Sequence, residues 1–177
     1  MKKILWTALA LVALVTSAHA VQFKNNKDPA FKDLGFSLHA RRIIDGLTQG
    51  ENITISITAT ANPVVQCINP TNDKVFPPSS TPDPIGVSGF SRINKALISD
   101  EGRVLMNVAT DAPPLNIEGA PDCAKHQTIE EITDLRFTQA HIVISQPPST
   151  PVLTVTCTFN PPTNDGLVPP AEVSCVY

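Results

Sequence analysis

The sequence predicts an all-β protein, and three observations lead to this prediction. Apolar and polar residues alternate along several short segments, turn residues separate these segments, and helical periodicity is almost absent. The chain also has 17 Pro residues and 8 Gly residues, and a high Pro content disfavours long helices. We expect an immunoglobulin-like antiparallel β-sandwich with long Pro-rich loops, and an up-and-down barrel is the alternative.

The first twenty residues have the three parts of a secretory signal peptide. Residues 2–3 are lysines, residues 4–15 are mostly apolar, and residues 18–20 (Ala-His-Ala) fit a cleavage site. We expect cleavage after Ala20, which leaves residues 21–177 as a single domain. That mature protein is expected to be secreted or periplasmic. It should have no membrane span, because no later segment has the roughly 18 apolar residues that a spanning helix needs.

Charge and composition exclude some classes of protein. Hydrophobic residues make up 42% of the chain and charged residues 16%, which is typical of a chain with a packed core rather than of a disordered one. The net charge is −3 at pH 7, and removal of the two signal-peptide lysines leaves 11 basic against 16 acidic residues. A basic surface for nucleic acid is therefore not expected.

In the amino-terminal half, the clearest strand comprises residues 53–60, where Ile and Ala alternate with Thr and Ser. Residues 21–35 are polar and weakly patterned, and we interpret them as an ordered arm or a lead-in. Residues 36–47 predict a strand, with a short helix as the alternative. Residues 64–68 predict a further short strand.

The rest of the chain alternates between loops and strands. Residues 69–85 form a Pro-rich segment that predicts a long surface loop. Residues 87–93 and 103–110 predict strands, whereas residues 111–131 predict an irregular loop. Residues 132–145 are apolar and β-branched, with an interruption in the middle, and predict one long strand or two.

The four cysteines are expected to form two disulfides. All four lie in the predicted mature chain (Cys67, Cys123, Cys157 and Cys175). An even number of cysteines in an exported chain indicates disulfides, and four cysteines allow three pairings.

The register of the last hairpin selects one of these pairings. Residues 153–159 and 173–177 alternate as two strands, and a loop rich in Pro, Asn and Gly joins them. A hairpin centred on Gly166 places one set of side chains on one face. The facing pairs are Cys157 with Cys175, Phe159 with Val173, and Val155 with Tyr177. The predicted bridges are therefore Cys157–Cys175 and Cys67–Cys123.

The histidines and one cluster of carboxylates are candidate site residues. His39, His126 and His141 lack the spacing of a metal motif, so we interpret them as surface or turn residues, with His141 facing solvent. A zinc or copper site would require the fold to bring all three together. Another candidate is the acidic cluster of Glu130, Glu131 and Asp134, which has the residue types of a glycosidase or a calcium site. We interpret this cluster as a solvated turn before a strand.

Other chemical motifs are missing from the sequence. It has no C-x-x-C pair, no nucleophile elbow, no phosphate-binding loop and no dinucleotide fingerprint. We therefore predict no catalytic residue, no metal ligand and no cofactor, and expect a protein that is not an enzyme. Arg41 and Arg42 form a lone basic pair, which we interpret as surface that could contact an anionic partner.

Several segments resemble small secreted bacterial all-β proteins of unassigned function. These segments are residues 52–60, residues 67–70 (Cys-Ile-Asn-Pro), the region from Cys123 to residue 138, and residues 153–159. The resemblance spans most of the mature chain and implies an all-β fold without an activity. The chain also resembles fimbrial subunits, because it is exported and ends at Tyr177. However, residues 21–35 do not alternate as a donor strand would.

The leading hypothesis is a secreted, non-enzymatic β-sandwich module that binds a protein or cell-surface partner or has a structural role. One alternative is a self-assembling subunit of a surface fibre or a pilus-like assembly. Another alternative is a small secreted enzyme or metal-binding protein that uses His126 with Glu130, Glu131 or Asp134.

Overall fold

The computed structural model describes residues 20–124 and 129–177. These residues form antiparallel sheets and three short 3₁₀ turns (Lys24–Asn26, Lys95–Leu97 and Pro170–Glu172), with no α-helix. The all-β class is therefore confirmed. The strands of the described residues are β1 (Gln22–Phe23), β2 (Ala30–Asp33), β3 (Leu38–Asp45), β4 (Ile53–Asn69), β5 (Lys74–Phe76), β6 (Ile85–Ile93), β7 (Val104–Ala109), β8 (Asn116–Ile117), β9 (Ile129–Ser145), β10 (Pro151–Phe159), β11 (Gly166–Leu167) and β12 (Val173–Val176).

The larger sheet is built on two long strands. β4 and β9 each have 17 residues and pair with each other along almost their whole length. β10 and then β12 follow on the other edge of β9, where β8 also pairs. The other edge of β4 pairs with β6 near one end and with β5 near the other end.

The smaller sheet is centred on β3. One edge of β3 pairs with β7, and the other edge pairs with β2 and, further along, with β1. β11 continues the sheet beyond β2. Consequently β11 is an edge strand of this sheet, as β12 is of the larger one.

The two sheets share one hydrophobic core. Alternate residues of each long strand are buried, as the period of two in the sequence predicts. Phe31 of the small sheet packs edge-to-face on Phe159 of the large sheet, with ring centroids 5.0 Å apart. The largest fully buried side chains come from both sheets: Phe23, Phe31, Phe137, Leu38, Ile44, Ile53, Ile55, Ile57, Met106, Leu135, Ile142 and Ile144.

The sheets are joined differently at their two sides. On the side of β6 and β7, the backbone N–H of Asp111 donates to the carbonyl of Ser88 at 2.9 Å. On the opposite side, β11 pairs only with β2 and β12 pairs only with β10 within the described residues. We call this second side the free margin.

The prediction of two separate strands at residues 53–60 and 64–68 was wrong, because β4 runs through both. Pro63 lies between two register shifts, at Thr60/Ala61 and at Val64/Val65. It also lies in the gap between the residues that pair with β6 and those that pair with β5. Pro is tolerated at bulges and where an edge is unpaired, so the strand continues.

Three predicted irregular segments contain strands. Residues 21–35 include β1 and β2, and the 69–85 segment includes the end of β4 and β5, which form a hairpin with a turn at 70–73. The 111–131 segment contains β8 and the start of β9. The short strands β1, β2, β5 and β8 have two to four residues each, too few to show a clear alternating pattern. Residues 77–84 lie outside all strands.

The segment 132–145, predicted as one strand or two, belongs to the single strand β9. The interruption in its sequence coincides with a register shift, because consecutive residues of β4 pair with Gln139 and Phe137 and leave Thr138 as the extra residue. The predicted signal peptide lies outside the described residues, apart from Ala20.

Candidate functional site

A pocket of about 460 Å³ lies at the free margin. Its walls come from both sheets, because Ala30 of β2 and Leu167 of β11 face it together with Val173 of β12. Pro29 and Val168 add buried apolar surface. The volume is in the range of small-molecule and peptide-side-chain sites in proteins.

Arg42 supplies a positive charge to this pocket. It lies in β3, where Leu38, Ala40 and Ile44 are buried. Because alternate residues of a strand share one face, Arg42 belongs to the inner face with them. Its side chain is half-buried, whereas the neighbouring Arg41 is exposed. The interpretation of both arginines as surface residues was therefore wrong for Arg42.

The position of Arg42 along β3 explains the space around it. β2 pairs with residues 38–41 of β3, and β1 pairs with residues 44–45. On this edge, Arg42 and Ile43 have no strand partner among the described residues, because residues 24–29 between β1 and β2 belong to no strand. The sequence could have indicated that Arg42 faces inward, since it is an even number of residues away from the apolar residues Ala40 and Ile44.

Within the described residues, the Arg42 side chain makes one hydrogen bond. Its Nη2 donates to the carbonyl of Lys24 at 2.9 Å. Its Nε is buried and has no hydrogen-bond partner. A guanidinium has five N–H donors, and an unsatisfied buried donor is unfavourable. Arg42 therefore keeps a charge and free donors at the wall of a mostly apolar pocket.

The carboxylate of Asp28 also lines the pocket, but it is bonded to Tyr177. The Tyr177 hydroxyl donates to Asp28 Oδ1 at 2.9 Å. Partial burial of a side chain that is still 58% exposed, this hydrogen bond and the charge of Asp28 raise the pKa of Tyr177 to about 12, while Arg42 acts in the opposite direction. Tyr177 thus remains a hydroxyl donor at physiological pH and holds Asp28, which forms no ion pair with Arg42 in the described residues.

A second concavity of similar size lacks this combination. It lies at Asn52, Thr54, Arg92 and Pro148, with a volume of about 490 Å³. The Arg92 guanidinium is exposed and lies 5.7 Å from the centroid of the Phe90 ring. It therefore already has an aromatic partner, unlike the guanidinium of Arg42.

The structure separates the two described histidines. His39 in β3 and His141 in β9 alternate with buried residues of different sheets, so they lie on the outer faces with the core between them. His141 is half-buried rather than fully exposed, and its Nδ1 lies 3.0 Å from the Thr156 hydroxyl. His126 lies outside the described residues.

The interpretation of the acidic cluster as a solvated turn was wrong. Glu130 is fully buried in β9, its Oε2 accepts from the Asp122 N–H at 3.1 Å, and its Oε1 has no partner. Glu131 points to the opposite face and accepts from Gln66 at 2.7 Å. Asp134 follows a bulge of the strand. Glu130 and Glu131 therefore lie on opposite faces of the sheet and do not form a catalytic pair.

Asp134 instead lies near two other aspartates. The carboxylates of Asp134 and Asp165 both lie beside Gly35. Their Oδ1 atoms are 3.7 Å and 3.5 Å, respectively, from the position that a Cβ at residue 35 would occupy. Asp33 accepts from the Gly35 N–H at 2.9 Å and from the Thr163 hydroxyl, and it is 1% exposed. Burial, followed by the charges of Asp134 and Asp165, raises the pKa of Asp33 against the effect of these hydrogen bonds. Burial is also the main cause that raises the pKa of Asp134.

The disulfides join the same cysteines that the hairpin register pairs. Cys157–Cys175 links β10 to β12, and Cys67–Cys123 links β4 to the segment after β8. The ladder pairs Cys157 with Cys175 and Phe159 with Val173 as predicted, but it ends at Val176. Tyr177 packs edge-to-face on Phe23 with a centroid distance of 6.1 Å, so the predicted pairing of Tyr177 with Val155 is not part of the ladder.

Within residues 20–124 and 129–177, no group of three or more His, Cys, Asp or Glu side chains could hold a metal ion. The same part of the chain contains no helix that is long and apolar enough to cross a membrane. Comparison of this chain with protein-family models, with curated proteins and with solved structures finds no match.

Proposed function

We propose that the protein is an exported, non-enzymatic binding module, with an immunoglobulin-like sandwich fold, that holds a protein or cell-surface partner at the Arg42 pocket. The observation that carries this proposal is a half-buried guanidinium with one hydrogen bond at the wall of an apolar pocket. Such a group is poised to bind an anionic group of a partner. Apolar pockets with a few polar groups are the usual form of binding sites.

Export through residues 1–20 is part of this proposal. Two disulfides are compatible with an oxidising compartment outside the cytosol. The separation of the histidines and the opposite directions of Glu130 and Glu131 favour a binding role over catalysis. Both features argue against a site for acid–base or metal chemistry shared by the two described histidines or by Glu130 and Glu131.

Assembly into a fibre by exchange of the amino-terminal segment is less favoured. Residues 21–35 contain β1 and β2, which pair with β3 of the same chain. Phe23 and Phe31 of this segment are buried in the core. Exchange first requires release of the segment from its own core, which exposes each ring at about 2 kcal/mol or more until another copy accepts it.

The proposal is tested by nuclear magnetic resonance with a mixed library of small carboxylates, short peptides, sugars and divalent cations. We expect amide shifts that cluster at Ala30, Arg42 and Val173. Shifts confined to the region of Glu130 or His141 would contradict the proposal, as would turnover of a library member. An absence of shifts at the pocket with every class of compound would also contradict it.

A further inference from the structure

The chemistry of the Arg42 pocket indicates one class of ligand, and this inference rests on the proposed function. We infer that the pocket binds the carboxyl-terminal end of a peptide or protein, with the terminal carboxylate on Arg42 and the last side chains on the apolar walls.

The charges favour an anion. Arg42 and Lys27 line the pocket with positive charge, and Asp28 is the acidic group of the lining. Asp28 keeps its negative charge while it accepts the Tyr177 hydroxyl, so two cations and one carboxylate leave the lining with a net positive charge. The chain as a whole is negative, with a net charge of −3, so this positive site is local. A carboxylate is the anion that a guanidinium binds with two parallel hydrogen bonds.

The walls favour an apolar neighbour of that anion. Val168 is 5% exposed and Pro29 is buried, while Leu167 is 71% exposed at the rim. Val173 of the other sheet completes this surface. A ligand with a negative charge at one end and apolar groups next to it would contact both Arg42 and the apolar walls. Burial of apolar surface contributes about 25 cal/mol for each Å².

The backbone around the pocket favours a peptide over a simple fatty acid. Within the described residues, β12 and β11 each pair on one side only, so the outer edge of each strand lacks a ladder partner. Leu167 and Val173 belong to these strands and line the pocket. An extended peptide can hydrogen-bond to such an edge while its side chains enter a pocket. A fatty acid has no backbone groups for this edge.

The test compares two pools of N-acetylated tripeptides that end in Val, Leu, Ile or Phe, one with free carboxylates and one with carboxamides. Binding to the purified protein is measured by calorimetry and by amide shifts. We expect the acid pool to bind at the pocket and the amide pool to bind about tenfold more weakly or worse, because a hydrogen bond to a charged group is lost. This comparison uses the unchanged protein and does not depend on the folding of a variant.

Two variants and a fatty acid complete the test. Arg42→Gln should weaken the binding of the acid pool by about tenfold or more. Arg41→Gln changes the exposed neighbour and should leave the binding of this pool unchanged. Equal binding of acids and amides, or binding of octanoate without binding of the peptides, would overturn the inference but leave a binding site at the pocket. Failure of every compound in the wider library to shift the pocket would overturn the proposed function as well.

Discussion

Gly89 of β6 lies directly against the backbone of Ala109 at the end of β7. A Cβ at position 89 would overlap the carbonyl oxygen of Ala109 and would lie 2.9 Å from its carbonyl carbon. The neighbouring hydrogen bond from Asp111 to Ser88 joins β6 to the segment just after β7. Because the obstacle is backbone rather than a flexible side chain, this contact requires glycine and holds the two sheets together on this side.

We expect Gly89→Ala to lower the free energy of unfolding by about 1–3 kcal/mol, the usual effect of forcing extra volume into a packed site. Gly86→Ala is the matched control on the same strand, because a Cβ at Gly86 would meet nothing within 4 Å. Urea unfolding of both variants measures the difference. Equal stability of the two variants would contradict the close approach.

Asp33 predicts a pH dependence of stability with a definite sign. Its pKa in the folded protein is raised above the ordinary value of 3.8, mainly by burial, so the folded state binds more protons than the unfolded state. Its contribution to stability is therefore greatest below about pH 4 and falls as the pH rises through the folded-state value.

We expect Asp33→Asn to remove this contribution to the pH dependence. The free energy of unfolding, measured from pH 4 to pH 7, should decline less with pH in the variant than in the unchanged protein. Asp111→Asn, at an exposed position, is the control and should keep the original slope. A variant slope that is unchanged or steeper would show that Asp33 does not titrate in this way.

Tyr177 predicts a second pH dependence of stability, in the alkaline range. Its pKa is raised from 10.0 to about 12 by burial and by Asp28. The folded state retains the phenolic proton, so the associated stability is present below about pH 10 and is lost as the pH rises towards 12. The chain has one Tyr, so ultraviolet titration reports on this group alone.

We expect the phenol to titrate near pH 12 in the folded protein, and Asp28→Asn to lower this value. The same titration in denaturant should return a value near 10. A native midpoint near 10 would mean that the hydroxyl is not held by Asp28.

The two disulfides should contribute unequally to stability. Cys67–Cys123 spans 56 residues of sequence and Cys157–Cys175 spans 18. In the loop-entropy model their removal lowers the free energy of unfolding by about 4 and about 3 kcal/mol, respectively. The double variants Cys67→Ala/Cys123→Ala and Cys157→Ala/Cys175→Ala test this order in chemical denaturation.

Reduction of the unchanged protein is the control for these variants. It should increase the mass by four hydrogens and lower the midpoint of unfolding. A protein whose mass and midpoint do not change on reduction would contradict both bridges. Partial proteolysis of the unreduced protein that links Cys67 to Cys157 would contradict the pairing.

The sequence was sufficient wherever the information is local. The period of two in β4, β9 and β10 places alternate residues on opposite faces, and this alone predicts an all-β chain. The hairpin of β10 and β12 is also local, since a turn-rich loop joins the two strands. Its register therefore places Cys157 opposite Cys175 before any tertiary contact is known.

Short strands and bulges could not be predicted from the sequence. β1, β8 and β11 have two residues each, which is too few to show alternation. Pro63 predicts the end of a strand from sequence, and only the gap beside it in the sheet permits β4 to continue. Such features depend on which strands are neighbours, and neighbours are set by pairing between distant parts of the chain.

The candidate site also combines features that the sequence predicts with features that only the tertiary structure sets. The sequence determined that this chain alternates as strands and that its cysteines have a favoured pairing. Only the tertiary structure decided that Arg42 lines a pocket, that Glu130 is buried and that Asp33, Asp134 and Asp165 lie together. The physical reason is that alternation fixes the face of a residue within its strand. What lies opposite that face depends on the long-range packing of two sheets, which leaves no local pattern in the sequence.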